Sequence, residues 1–229
     1  MKIHFHTYGD RALLIRWEQR IDPAINTDVV RLDRAIAAAK IEGIQFSIPA
    51  YCSLTVGFHP DRITYEQLCD QIQSIRSKSS DPVAATPTNR QVEIPVCYEG
   101  AFAPDLEWMC QRTGLDPSHI IQLHTGTLFR VYMLGFMPGF PYLGSLPSVL
   151  EAPRKETPRL RVPAGSVALA GLQTGIYPIE SPGGWQIIGR TPLQVFDPSR
   201  EEPFLLRAGD EVQFKAIGSD EYEELKNKL

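Results

Sequence analysis

Residues 130–190 constrain the fold more than any other stretch. They set glycine, proline and aromatic residues among short Val/Ile/Leu runs and carry few charges. Glycine permits positive φ and close backbone approach, whereas proline fixes φ and removes a donor. Mixed with β-branched residues, they predict brief strands joined by tight, specified turns, with helix close to excluded. Residues 92–96 upstream and 193–196, 204–206 and 211–214 downstream read as further short strands. So many short strands predict a closed or nearly closed barrel.

The chain ahead of this region has a different rhythm. Residues 3–8 and 12–17 read as two strands with Gly9-Asp10 as the hairpin turn. A helix begins at Asp22-Pro23, with Asp22 placed to cap and Pro23 tolerated in the first turn. Ile25, Val29, Leu32, Ile36 and Ala39 then form one apolar face, and Gly43 is the expected stop. Residues 44–48 and 53–58 predict two more strands, and 64–75 a helix with Tyr65, Leu68, Ile72 and Ile75 inward. That order describes a small α+β layer with helices on one face of a sheet.

Residues 76–89 are rich in Ser, Pro, Thr and Ala without apolar periodicity. The expected boundaries are therefore an N-terminal α+β, sandwich-like domain over 1–78, a linker over 79–91 and a β-barrel domain over 92–229. Two short helices, 105–112 and 116–124, precede the turn-rich region, and the charged tail 220–229 reads as a frayed or surface helix.

A formal net charge of -4 argues against a nucleic-acid surface, which needs a basic face to displace phosphate counterions. The N-terminus alternates polar and apolar residues and no apolar run approaches bilayer length, so a cytoplasmic chain with no membrane partner is expected. Cys52, Cys69, Cys97 and Cys110 are widely spaced, with no CxxC and no His cluster, and read as buried free thiols; no metal site is expected.

Three motifs carry a resemblance: GDRALLIRW from Gly9, GFMPGFPYLG from Gly135, and TPRLRVPAGSVALAGLQTGIYPIESPGGWQIIGRTP from Thr157. The chain resembles the family that holds the B subunit of bacterial ATP-dependent 5-oxoprolinase, the sporulation-kinase inhibitor KipI and proteins labelled allophanate hydrolase subunit 1. The resemblance implies that the second domain is a cyclophilin-like barrel. It also implies, first, a B subunit that works with subunits A and C to open 5-oxoproline to glutamate. That reaction would use ATP shared with the partner subunits, and Mg²⁺ is a candidate ion. A rival reading is a KipI-like binding protein that blocks autophosphorylation of a sensor histidine kinase through an exposed hydrophobic patch. Amide hydrolysis in urea or allophanate metabolism ranks third.

Gly184 to Thr191 mimics the phosphate-binding GxxxxGK[ST] loop with Arg190 in place of Lys, but strand-like residues follow where that loop needs a helix. No GxSxG elbow, HExxH or paired catalytic carboxylates appear in a telling context. Arginine forks bind carboxylates and phosphates bidentately, so Arg154, Lys155, Arg159 and Arg161 form either an anion site or a solvated loop. The family motif favours Arg159 among them. Gln173, Thr174 and Tyr177 offer an amide, a hydroxyl and a phenol to a small polar amide, or else supply turn chemistry at a barrel rim. His124 ends a short helix, where it is either an acid–base group or a cap. The expected site is therefore His124 as catalytic group, with Arg159, Gln173, Thr174, Tyr177 and Arg190 binding substrate. Phe136, Phe140 and Tyr142 are expected to wall a cleft, plug a barrel end or meet a partner.

Overall fold

A computed structural model of the chain describes residues 1–78 and 90–228. The chain divides into two compact units, Met1–Asn89 and Arg90–Leu229. Most of the expected linker, residues 79–89, lies outside the described residues, and Gln91 already opens a strand of the second unit.

In the first unit, β1 (His4–Thr7), β2 (Ala12–Arg16), β3 (Ile44–Pro49) and β4 (Ser53–Phe58) form an antiparallel sheet in the order β1-β2-β4-β3. Helices α1 (Pro23–Ala39) and α2 (Tyr65–Lys78) cover one side of it. The Asp22 carboxylate accepts from the Ala24 and Ile25 amides at 2.8 and 3.2 Å, satisfying two orphan donors of the first turn. Helix α1 ends earlier than Gly43: Lys40 adopts φ 47 and closes it, and Gly43 at φ 94 turns the chain into β3. Leu13, Ile15, Leu54 and Val56 point inward against Ile25, Val29, Leu32, Ile36, Leu68 and Ile72. The period of two along the strands thus meets the period of 3.6 along the helices.

The second unit contains β5 (Gln91–Cys97), α3 (Leu106–Thr113), α4 (Pro117–Thr125), β6 (Leu128–Leu134) and β7 (Pro141–Gly144). There follow β8 (Arg159–Val162), β9 (Ser166–Ala170), β10 (Gln173–Ile176), β11 (Ser181–Gly183), β12 (Gln186–Arg190), β13 (Glu211–Ile217) and α5 (Ser219–Asn227). Seven strands close a barrel in the order β10-β7-β6-β13-β5-β12-β9, and β8 and β11 form a separate ribbon. Strand β13 runs parallel to β5, and the other pairings are antiparallel. The architecture is mixed α+β with a closed barrel, as the turn-rich sequence predicts.

Alternation along β9 and β12 sorts side chains to two sides of the barrel wall. Val167, Leu169 and Ile188 join Ile94, Phe129, Val131 and Phe214 in the interior. Ala168, Ala170 and Ile187 point the other way and are covered by Phe140, Tyr177 and Trp185. The aromatic run therefore sheathes the wall from outside rather than plugging an end.

One expectation fails. Residues 193–196 and 204–206 are not strands: only Phe196 and Phe204 make an isolated bridge. Pro192, Pro198 and Pro203 break this segment, and proline cannot donate to a ladder. The charged tail forms the surface helix expected of it: α5 is mostly exposed and is anchored by Tyr222, 4% exposed, against Phe102, ring centroids 4.4 Å apart. Among the described residues no helix is long and apolar enough to cross a membrane.

Candidate functional site

The sheath over β9 and β12 is built on edge-to-face aromatic contacts. Phe140 lies 5.0 Å from Tyr142, 5.2 Å from Tyr177 and 5.4 Å from Trp185, with interplanar angles of 62°, 82° and 87°. Two glycines permit this packing. A Cβ on Gly175 would sit 2.8 Å from the Phe140 ring, and one on Gly183 only 2.3 Å from the Tyr177 hydroxyl. Tyr177 is buried, and its hydroxyl hydrogen-bonds the Trp185 backbone. Burial raises its pKa, opposed by that bond and by Arg154 and Arg159.

A cationic cluster borders the sheath. Asp105, 3% exposed, accepts from Lys155 Nζ at 3.0 Å, Arg159 Nη2 at 2.7 Å and the Ile187 amide at 2.7 Å. Burial works to raise the Asp105 pKa, but Arg159, the Ile187 amide and Lys155 outweigh it and hold the carboxyl below the usual range. The Arg154 guanidinium stands 5.9 Å from the centroid of the Trp185 ring, a cation–π geometry. Gln186 ties the loop down by donating to the Pro153 carbonyl at 3.0 Å. Lys155 and Arg159 thus share one buried carboxylate, with Arg154 held alongside by Trp185. Arg159 Nη1 is buried and has no hydrogen-bond partner among the described residues. A buried donor without an acceptor is costly, so this nitrogen suits an incoming oxygen.

The expected site residues fall into separate places. Arg159 and Tyr177 share the sheath and its cationic border. His124 and Thr174 meet elsewhere: Thr174 Oγ1 lies 3.0 Å from His124 Nε2, and the Tyr98 hydroxyl 2.8 Å from His124 Nδ1. The imidazole stacks on Phe214 at 4.5 Å and has no exposed surface. Burial lowers its pKa to about 3, so at neutral pH it is an uncharged strut between α4 and β10. Gln173 is half-buried in β10, opposite Gly144 and Ala170. Arg190 leaves the cluster altogether, with its guanidinium 5.6 Å from the Phe102 ring and a hydrogen bond to Tyr222.

Sequence reasoning missed Asp105. It reads as the start of a helix, and it does hold the N-cap position of α3, yet its side chain makes no capping bond. The unused cap is the only local sign that the carboxylate is engaged elsewhere. Lys155 and Arg154, readable as solvated loop charges, are committed to Asp105 and Trp185. Among the described residues no group of three or more His, Cys, Asp or Glu side chains is placed to hold a metal ion.

Residues 3–206 match the family model described as carboxyltransferase domain, subdomain C and D. The 5-oxoprolinase B subunit from Bacillus subtilis (strain 168) is 43% identical, the match spanning 96% of this chain and 95% of that protein. Its namesake from Escherichia coli O157:H7 is 41% identical over 90% of this chain and 92% of its own length. Among solved structures, TTHA0988 superposes with a TM-score of 0.81 at 39% identity over 91% of this chain, which spans 40% of that longer protein. The chain belongs to the carboxyltransferase subdomain C and D family, in the company of the 5-oxoprolinase B subunits.

Proposed function

We infer that the chain serves as the B subunit of an ATP-dependent 5-oxoprolinase, and that Arg159 receives the substrate. The observation that carries this is the buried, unpartnered Nη1 of Arg159 near the Tyr177 phenol. A lactam such as 5-oxoproline presents one carboxylate, one N–H and one C=O, so a cation, an acceptor and a donor orient it. Arg159 would take the carboxylate, held in place by Asp105 through its other terminal nitrogen. Arg154 and Lys155 supply further positive charge for oxygens that become more negative in the transition state. The aromatic sheath excludes water from one side and strengthens those contacts.

ATP, shared with partner subunits, supplies the phosphoryl group that makes the lactam carbonyl electrophilic. The cationic surplus of Arg154, Lys155 and Arg159 suits its anionic oxygens. Mg²⁺ does not fit the described residues: Asp105 is already saturated by two cations and an amide. Gln173, half-buried in β10, is the further binding group of this reading, whereas Tyr177 and Thr174, buried with their hydroxyls engaged, serve it as positioning residues. His124 acts through Thr174 as a positioning residue, because its imidazole has no exposed surface. Arg190 anchors the Phe102 turn and α5 within this scheme. One carboxylate among several cations makes no complete phosphoryl-transfer site, so subunits A and C complete it in the cytoplasm and the chain is inactive alone.

The rival reading, a histidine-kinase inhibitor, lacks the support that the B-subunit relatives give to the enzyme. The deciding experiment is recovery of the tagged chain from its native cells, with the eluate assayed for ATP hydrolysis that depends on added 5-oxoproline. Dependent hydrolysis with two co-eluting subunits, lost in Arg159→Ala, is the expected result. A histidine kinase in the eluate without such hydrolysis would overturn it.

A further inference from the structure

The first unit carries a second concentration of positive charge that the barrel site does not use. A half-open groove of about 670 Å³ is lined by Lys2, His4, His6, Arg16, Gln19 and Arg20, among others. That volume lies in the range of small-molecule sites. Its cationic side chains are Lys2, Arg16 and Arg20, and Glu18 is the one carboxylate in the lining. Arg20 is spoken for, at 3.5 Å from Glu18 and 3.3 Å from Asp22. No salt bridge engages Arg16 or Lys2 among the described residues.

The strand register explains why these groups converge. Ile3 and Phe5 turn into the core, so His4 and His6 share the opposite face of β1, their rings 6.5 Å apart. Across the ladder His4 pairs directly with Arg16 of β2. Directly opposed residues bring their Cβ atoms within about 5.5 Å, where like-charged or donor-rich partners gain nothing from each other. Two imidazoles and a guanidinium therefore present donors to the groove with no carboxylate between them. The groove also reaches Ile25 in the first turn of α1.

We propose that this groove binds a small polyanion, with Arg16 as the bidentate anchor and His4 and His6 as flanking donors. The shared chemistry is a pair of anionic groups on one compact molecule, supplied by either phosphoryl or carboxylate oxygens. This site belongs to the first unit, whereas the Arg159 cluster belongs to the second, and it does not depend on the proposed reaction.

The test is isothermal titration of the full-length chain with inorganic pyrophosphate and, separately, with citrate at low ionic strength. Saturable binding of at least one is expected, weakening as salt screens the charges. Arg16→Gln, which removes the charge from a half-exposed strand position while keeping a polar side chain, should weaken it about tenfold or more, and His4→Ala/His6→Ala by a smaller factor. Arg159→Ala, in the other unit, should leave it unchanged. Preference for pyrophosphate assigns a phosphorylated ligand, and preference for citrate a di- or tricarboxylate. No binding of either probe overturns the proposal. So does equal affinity in wild type and Arg16→Gln, or loss of binding in Arg159→Ala.

Discussion

Nε2 of His124 and the hydroxyl of Thr174 lie 3.0 Å apart inside the barrel unit, joining a helix end to a strand 50 residues away. Tyr98 closes the other ring nitrogen at 2.8 Å, so both nitrogens of a fully buried imidazole are satisfied. Which nitrogen carries the proton follows from which hydroxyl donates, and either arrangement needs the neutral ring.

That requirement gives a pH dependence. His124 is held at a pKa of about 3 by burial, whereas an unfolded histidine titrates near 6.5. The unfolded chain therefore binds the proton more readily, and acid favours unfolding. The stabilisation is complete above about pH 6.5 and is lost progressively as pH falls towards 3. Urea denaturation should show about 1 kcal/mol less stability at pH 5.5 than at pH 7 from this group alone. In His124→Gln that portion of the slope should vanish; an unchanged slope would show that the imidazole is not buried neutral.

Gly183→Ala tests the sheath. The new Cβ would lie 2.3 Å from the Tyr177 hydroxyl, itself buried against Trp185 and Phe140, so the phenol must move. Overpacking of this kind costs about 1–3 kcal/mol. A fall in the thermal midpoint together with a changed near-UV aromatic spectrum is expected. A wild-type spectrum would mean that Tyr177 has room to yield.

Sequence reading reached as far as local chemistry reaches. Asp22 with Pro23 announces α1 because a cap and its helix are neighbours, and the glycine–proline punctuation of residues 130–190 announces short strands for the same reason. The site was less legible because its partners are remote in sequence. Arg159 is 54 residues from Asp105, and the Ile187 amide is 82 residues from it. No spacing rule connects a helix-start aspartate to a barrel strand. The Arg190 assignment drew on the motif that holds it, whereas the β12 bulge between Ile187 and Gly189 and the Phe102 ring decide where that side chain rests. The false strands at 193–196 and 204–206 show apolar residues outweighing prolines in a pattern reading, when the missing donors decide the outcome.

Arg159→Lys separates charge from geometry. Lysine keeps a cation within reach of Asp105 but has no fork, so it cannot hold Asp105 and a second oxygen in one plane. In the assembled complex the KM for 5-oxoproline should rise about tenfold or more, with stability within about 1 kcal/mol of wild type. An unchanged KM would remove Arg159 from the substrate site.

Asp105 is the residue on which the cluster turns, and graded substitutions should resolve its two jobs. Asp105→Asn can still accept the Ile187 amide but loses the charge that holds Lys155 and Arg159; Asp105→Ala loses both. Leaving half-buried cations and a buried amide without an acceptor predicts a loss of about 1–2 kcal/mol for the first and about 3 kcal/mol or more for the second. Because the Asp105 pKa is lowered in the folded chain, its contribution is present above the unfolded value near 3.9 and disappears as pH falls through the folded one. The difference between wild type and Asp105→Asn should therefore shrink on acidification below about pH 4. Denaturation at pH 7 and pH 3.5 measures this directly. Equal losses for Asn and Ala at pH 7 would show that the ion pairs with Lys155 and Arg159, not the bond from the Ile187 amide, carry the contribution of the Asp105 side chain.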